Sequence, residues 1–124
     1  MGLVGKKVLV VDDMTSIRQV IMAHLKSVGC EPMGVSNGRV ALDMLARHRF
    51  DLVLSDWNMP GMDGTQLVTA IRASNKTIPI VMVTAEGDAR LLETLREIGI
   101  NGYIIKPFKP QVLLTLLRKI FPKH

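Results

Sequence analysis

The sequence has 124 residues, the size of one ordinary domain, with 48% hydrophobic and 22% charged side chains. That balance excludes a disordered, collagen-like or fibrous chain. The net charge of +5 is unevenly placed. Residues 1–100 hold 11 basic and 11 acidic side chains, while Lys106, Lys109, Arg118, Lys119 and Lys123 lie beyond them without an acid.

The one cysteine, Cys30, allows no intrachain disulfide and reads as a small buried hydrophobe in a reducing compartment. No apolar run approaches the roughly 20 residues of a membrane span. The start carries no signal-peptide pattern, and Lys6 stands where a myristoylation motif needs Ser or Thr. The expectation is a soluble cytoplasmic protein.

In chain order, short apolar runs alternate with helical patterns. Val8-Leu9-Val10-Val11 suits a strand covered on both faces and ends in Asp12-Asp13. Ile17, Val20, Ile21, Leu25 and Val28 recur at helical spacing up to Gly29, a left-handed helix stop. Glu31 to Ser36 is a weaker strand, placed at an edge by Pro32. Ser36 or Asn37 caps a second helix with Val40, Ala41, Met44 and Leu45 facing in. Leu52-Val53-Leu54 is a third strand, ending at Ser55-Asp56. After a turn-rich loop, Leu67, Val68 and Ile71 mark a third helix. Ile78 to Val83 is a fourth strand ending at Thr84. Leu91, Leu92, Leu95 and Ile98 form a helix stopped by Gly99. Tyr103-Ile104-Ile105 is a fifth strand ending at Lys106-Pro107, and Val112, Leu113, Leu116, Leu117 and Ile120 form the last helix.

Five strands alternating with five helices predict an α/β fold: a five-stranded parallel sheet flanked by helices on both faces, in one domain spanning 1–124. In such sheets ligands bind beyond the carboxyl ends of the strands. Those ends carry Asp12, Asp13, Asp56, Thr84 and Lys106. Three carboxylates cannot converge without a compensating charge. Oxygen-only ligands with no His or Cys among them point to Mg²⁺ rather than zinc, and Asn58 could add a carbonyl. A carboxylate beside a divalent cation and a lysine is placed to attack a phosphoryl group, with the ammonium and the hydroxyl holding its oxygens. Asp56, on the central strand, is the expected nucleophile and would become an aspartyl phosphate.

These residues resemble a known family. The stretches Val10-Val11-Asp12-Asp13, Asp56-Trp57-Asn58-Met59-Pro60-Gly61-Met62-Asp63-Gly64, Val83-Thr84-Ala85 and Gly102-Tyr103-Ile104-Ile105-Lys106-Pro107-Phe108 are similar to those of response-regulator receiver domains, especially the single-domain chemotaxis type. The resemblance covers essentially the whole chain. It implies a doubly wound, flavodoxin-like (β/α)5 sheet in the order 2-1-3-4-5. It also implies that Asp56 takes phosphate from a histidine kinase. Asp12, Asp13, Asp56 and the Asn58 backbone carbonyl would hold Mg²⁺, or Mn²⁺ in its place. Thr84 and Lys106 would contact the phosphate, Thr84 and Tyr103 would form a switch, and Asn58 and Glu86 would tune dephosphorylation. A cis Lys106–Pro107 bond is implied as well.

The predicted function is a Mg-dependent signalling switch that catalyses only its own phosphorylation and dephosphorylation. It would alter a partner surface on helix 4, strand 5 and helix 5. Lys109, Arg118, Lys119 and Lys123 near that surface predict an acidic patch on a downstream target, such as a motor switch. A phosphatase is a further partner; nucleic acid and membrane are not, and the chain is expected to be a monomer. The stop after the last helix favours a free-standing domain. Alternatives are a phosphate sink, a phosphorelay intermediate or part of a longer regulator. A phosphohydrolase with an Asp nucleophile would want Asp-x-Asp rather than adjacent acids. A nucleotide-binding domain would want a glycine-rich phosphate loop that is missing. A nucleic-acid module would want more than five aromatics. Asp63-Gly64 reads as a turn and helix cap, and His24, His48 and His124 receive no catalytic or metal role.

Overall fold

The computed structural model describes residues 2–85 and 89–122. Five strands, β1 (Lys7–Val11), β2 (Glu31–Val35), β3 (Leu52–Asp56), β4 (Ile80–Thr84) and β5 (Gly102–Ile105), form one parallel sheet in the order β2-β1-β3-β4-β5. Between and after them run α1 (Thr15–Ser27), α2 (Gly38–Arg47), α3 (Gly64–Ser74), α4 (Ala89–Ile98) and α5 (Pro110–Ile120). The central strands β3 and β4 are buried at every residue, as unbroken apolar runs require when helices cover both faces. One face packs under α2, α3 and α4 through Ala41, Leu67, Val68, Ile71 and Leu95. The other packs under α1 and α5 through Ile21, Leu25, Leu113 and Leu117.

Local chemistry sets the helix ends. Gly29 adopts φ +91°, and the N–H groups of Gly29 and Cys30 close on the Lys26 and Leu25 carbonyls, ending α1. Asn37 rather than Ser36 caps α2: its side chain accepts from the Val40 N–H at 2.9 Å. Asp63 and Gln66 form a reciprocal capping box on α3, so Asp63 is the predicted cap. Each of the five helices carries a basic side chain in its last turn, and none carries an acid in its first. Because the helices run against the strands, these cations gather at the end of the sheet where the strands begin.

Two readings of the sequence need correction. Strand β4 begins at Ile80, not Ile78, because the Asn75 side chain turns the chain by accepting the N–H groups of Thr77 and Ile78. Val20, Val40 and Val112 do not face the core; they are 54%, 40% and 49% exposed. The apolar stripe on these helices is wider than the seam that the sheet covers.

Candidate functional site

Topology makes the site. From β1 the chain crosses to β2 on one side and later returns to β3 on the other, which opens a crevice at the carboxyl ends of β1 and β3. Asp12 follows β1, and its backbone N–H bonds the Val35 carbonyl at 3.1 Å, tying it to β2. Asp56 closes β3, paired in register with Val83. On the other side, the Lys106 N–H donates to the Thr84 carbonyl at 2.7 Å, so both residues are set at one level. The predicted site residues Asp12, Asp13, Asp56, Thr84 and Lys106 therefore share one end of the sheet.

The polar groups are unusually buried. Asp12 is 1% exposed, Thr84 4% and Asp56 7%, whereas Asp13 is open to solvent. The Lys106 ammonium lies 3.2 Å from Asp56 Oδ1 and 3.3 Å from Asp12 Oδ2. The other Asp12 oxygen, Oδ1, accepts the Met14 N–H at 2.9 Å, at the start of α1. Burial pushes the Asp56 carboxyl above its ordinary value. The Lys106 charge opposes that shift, the Asp12 charge adds to it, and hydrogen bonds from Lys106 and the Asn58 backbone N–H oppose it again.

One oxygen from each of Asp12, Asp13 and Asp56 fits within a span of 4.8 Å. This donor set is all hard oxygen, with two buried members and one facing water. It fits a small divalent cation that retains part of its hydration shell. A single lysine shared by two of three carboxylates leaves negative charge that such an ion would neutralise. The arrangement offers a carboxylate nucleophile, an ammonium and a hydroxyl around one open crevice.

Residues 8–118 match the family model of the response regulator receiver domain. The chain belongs to this family. The CheY chemotaxis protein of Pseudomonas aeruginosa is 40% identical to this receiver domain over 120 residues, 94% of the chain and 97% of that protein. The solved structure of the chemotaxis response regulator CheY4 of Vibrio cholerae superposes with a TM-score of 0.89 at 38% identity, covering 94% and 98% of the two chains. The receiver domain of a sensor histidine kinase from Pseudomonas aeruginosa PAO1, solved with a magnesium ion coordinated in its active-site cleft, gives 0.87 at 31% identity over 96% and 99%. The receiver domain described here is thus a response regulator of the CheY type, with the doubly wound fold that its sequence predicts.

Around this centre, the Lys106–Pro107 bond is cis. Trp57, next to Asp56, is half-buried, and its indole N–H donates to Thr65 Oγ1 at 2.9 Å. Asn58 is exposed; Glu86 lies outside the described residues. Tyr103 is half-buried on β5, with the Arg96 guanidinium 5.7 Å from its ring centroid. One neighbour was not predicted. Arg18 Nη1 donates to the Asp12 carbonyl at 2.7 Å, bracing the turn that carries both acids. A Cβ at Gly34 would stand 2.9 Å from Arg18 Cδ, so the glycine on β2 leaves room for that side chain. Only the packing of α1 on β2 brings these residues together, and no local motif signals it. No helix among the described residues is long and apolar enough to cross a membrane.

Proposed function

We propose that Asp56 is the phosphoacceptor of a chemotaxis-type response regulator that works as a monomeric receiver domain over residues 1–124. The supporting observation is the Lys106 ammonium seated between Asp56 and Asp12, within hydrogen-bonding reach of both. An Asp56 oxygen attacks the phosphorus of a phosphohistidine on a kinase. The P–N bond breaks, its electron pair goes to the imidazole nitrogen, and that nitrogen takes up a proton. Lys106 and the Thr84 hydroxyl hold the phosphoryl oxygens as charge shifts onto them. Asp12, Asp13, Asp56 and the Asn58 carbonyl would hold Mg²⁺, with Mn²⁺ as a substitute, and the bound ion would neutralise the carboxylates and the incoming phosphoryl charge.

Asn58 and Glu86 set the lifetime of the phosphorylated state, with or without a phosphatase. Thr84 and Tyr103 carry the change to α4, β5 and α5. There Val112, 49% exposed, lies beside Lys119 and one turn from Lys109, and Ile105 on β5 is 45% exposed, which fits a target that is apolar at its centre and acidic at its rim. The protein then acts as a cytoplasmic switch that catalyses only reactions of its own aspartate.

The test is addition of beryllofluoride or acetyl phosphate with Mg²⁺, read by Trp57 fluorescence. Wild type should respond and Asp56→Asn should not; an equal response from both removes the acceptor assignment. Capture of a target with the beryllofluoride-bound form should weaken with salt and with Lys119→Glu. Salt-independent capture would remove the acidic-partner reading.

A further inference from the structure

At the opposite end of the sheet from Asp56, a cavity of about 790 Å³ opens beneath the starts of β3 and β4. Its size lies within the range of small-molecule sites. Leu42, Leu45, Phe50 and Ile78 form an apolar wall continuous with the core, and Phe121 closes it from the end of α5. The mouth is basic: Arg47 and Arg49 flank His48 along it. The acid in the lining, Asp51, accepts the backbone N–H of Lys7 at 2.8 Å. Arg47 is tied to Asp43 at 3.2 Å. Arg49 has no hydrogen bond or ion pair among the described residues. Asn75, also in the lining, already accepts the N–H groups of Thr77 and Ile78 at its side-chain oxygen.

We infer that this cavity binds a small organic anion with an apolar body, its charged group at Arg49 and its body against Leu45, Phe50 and Ile78. Such a ligand matches both halves of the lining. A wholly polar anion would leave the apolar wall wet, and a neutral apolar molecule would make no use of Arg49, whose exposed guanidinium stands at the mouth with no partner among the described residues. The site shares no residue with the phosphoryl site, so occupancy and phosphorylation can coexist.

The experiment titrates the ¹⁵N-labelled full chain with octanoate and, separately, with neutral 1-octanol. Saturable amide shifts confined to residues 42–51, 71–79 and Phe121, and about fivefold weaker for octanol, are expected. Arg49→Glu should weaken octanoate by a similar factor. Ala46→Trp, placing bulk from an exposed lining position, should block it. Both variants should keep the wild-type response of Trp57 to beryllofluoride. Shifts that are absent, scattered, or equal for the acid and the alcohol overturn the inference. Phosphatidylglycerol vesicles separate a free anion from a lipid headgroup. A free ligand leaves the protein in the supernatant, and sedimentation that survives Ala46→Trp assigns the cations to a membrane surface and removes the cavity site.

Discussion

The Lys106 ammonium stands 3.2 Å from Asp56 Oδ1 and is shared with Asp12 at 3.3 Å. One cation balances two buried carboxylates, which makes it both a structural counter-ion and a competitor for any metal. Lys106→Met should therefore lower the melting temperature in metal-free buffer. It should also enlarge the rise in melting temperature that saturating Mg²⁺ produces. Removing one partner of a buried pair costs about 3–5 kcal/mol, and the partial exposure of this lysine places the loss at or below the lower end. Thermal melts with and without Mg²⁺ measure both terms.

The raised Asp56 pKa fixes the sign of a pH effect. The unfolded chain ionises this group near its ordinary value of 3.8, and the folded chain ionises it at a higher pH. Between those values the folded state holds the extra proton, so this group costs stability above the folded pKa and the cost fades as pH falls through it. In metal-free buffer at about pH 7, Asp56→Asn should melt higher than wild type. The gain should shrink toward nothing as pH approaches the ordinary value of 3.8. A gain that persists unchanged into acid would mean that another group is responsible.

Asp12 and Asp13 are adjacent but carry different structural duties. Asp12 is buried and accepts the Met14 N–H, whereas Asp13 faces solvent. Asp13→Ala should weaken Mg²⁺ binding and change metal-free stability by no more than about 0.5 kcal/mol. Asp12→Asn should weaken Mg²⁺ binding too, while keeping an acceptor for Met14. Asp12→Ala should lose about 1 kcal/mol more than Asp12→Asn. Trp57 fluorescence against Mg²⁺, set beside urea unfolding, separates the two duties.

Far from the site, the Arg72 guanidinium donates twice to the Gly99 carbonyl, at 2.9 and 2.7 Å, and to Asn101 Oδ1 at 3.2 Å. Asn101 Oδ1 in turn accepts the Ile80 N–H at 2.9 Å. This joins the ends of α3 and α4 to the start of β4. Arg72→Ala should cost about 1.5–3 kcal/mol in urea unfolding. Since no member of this network borders the phosphoryl site, the Trp57 response to beryllofluoride should stay as in wild type.

Much of this molecule could be read from residue order because a doubly wound sheet converts strand ends into a site. Asp12, Asp56 and Lys106 each follow an apolar run, and the parallel topology carries all three to one edge. The helix stops at Gly29 and Gly99 were equally local, since a positive φ favours glycine. What escaped reading depends on packing between distant segments. Val20, Val40 and Val112 fit the helical period, yet only the width of the sheet decides whether they are covered. The Arg18 brace needs β2 beside α1 and a glycine at position 34. The cavity at Arg49 exists only where α2, α3 and the end of α5 meet.

The helix ends have one more consequence. A cation in the last turn of every helix stands opposite the three carboxylates at the other end of the sheet, a charge separation along the strand direction that Glu31 and Asp51 at the strand starts and Lys106 among the carboxylates partly offset. A phosphoryl group on Asp56 would add negative charge at the acidic pole and strengthen that separation ahead of any movement of Thr84 and Tyr103. An approaching protein then feels a torque as well as an attraction. The signal would reach a partner first as a preferred orientation, over about the 8 Å screening length of physiological salt, and only afterwards as a contact.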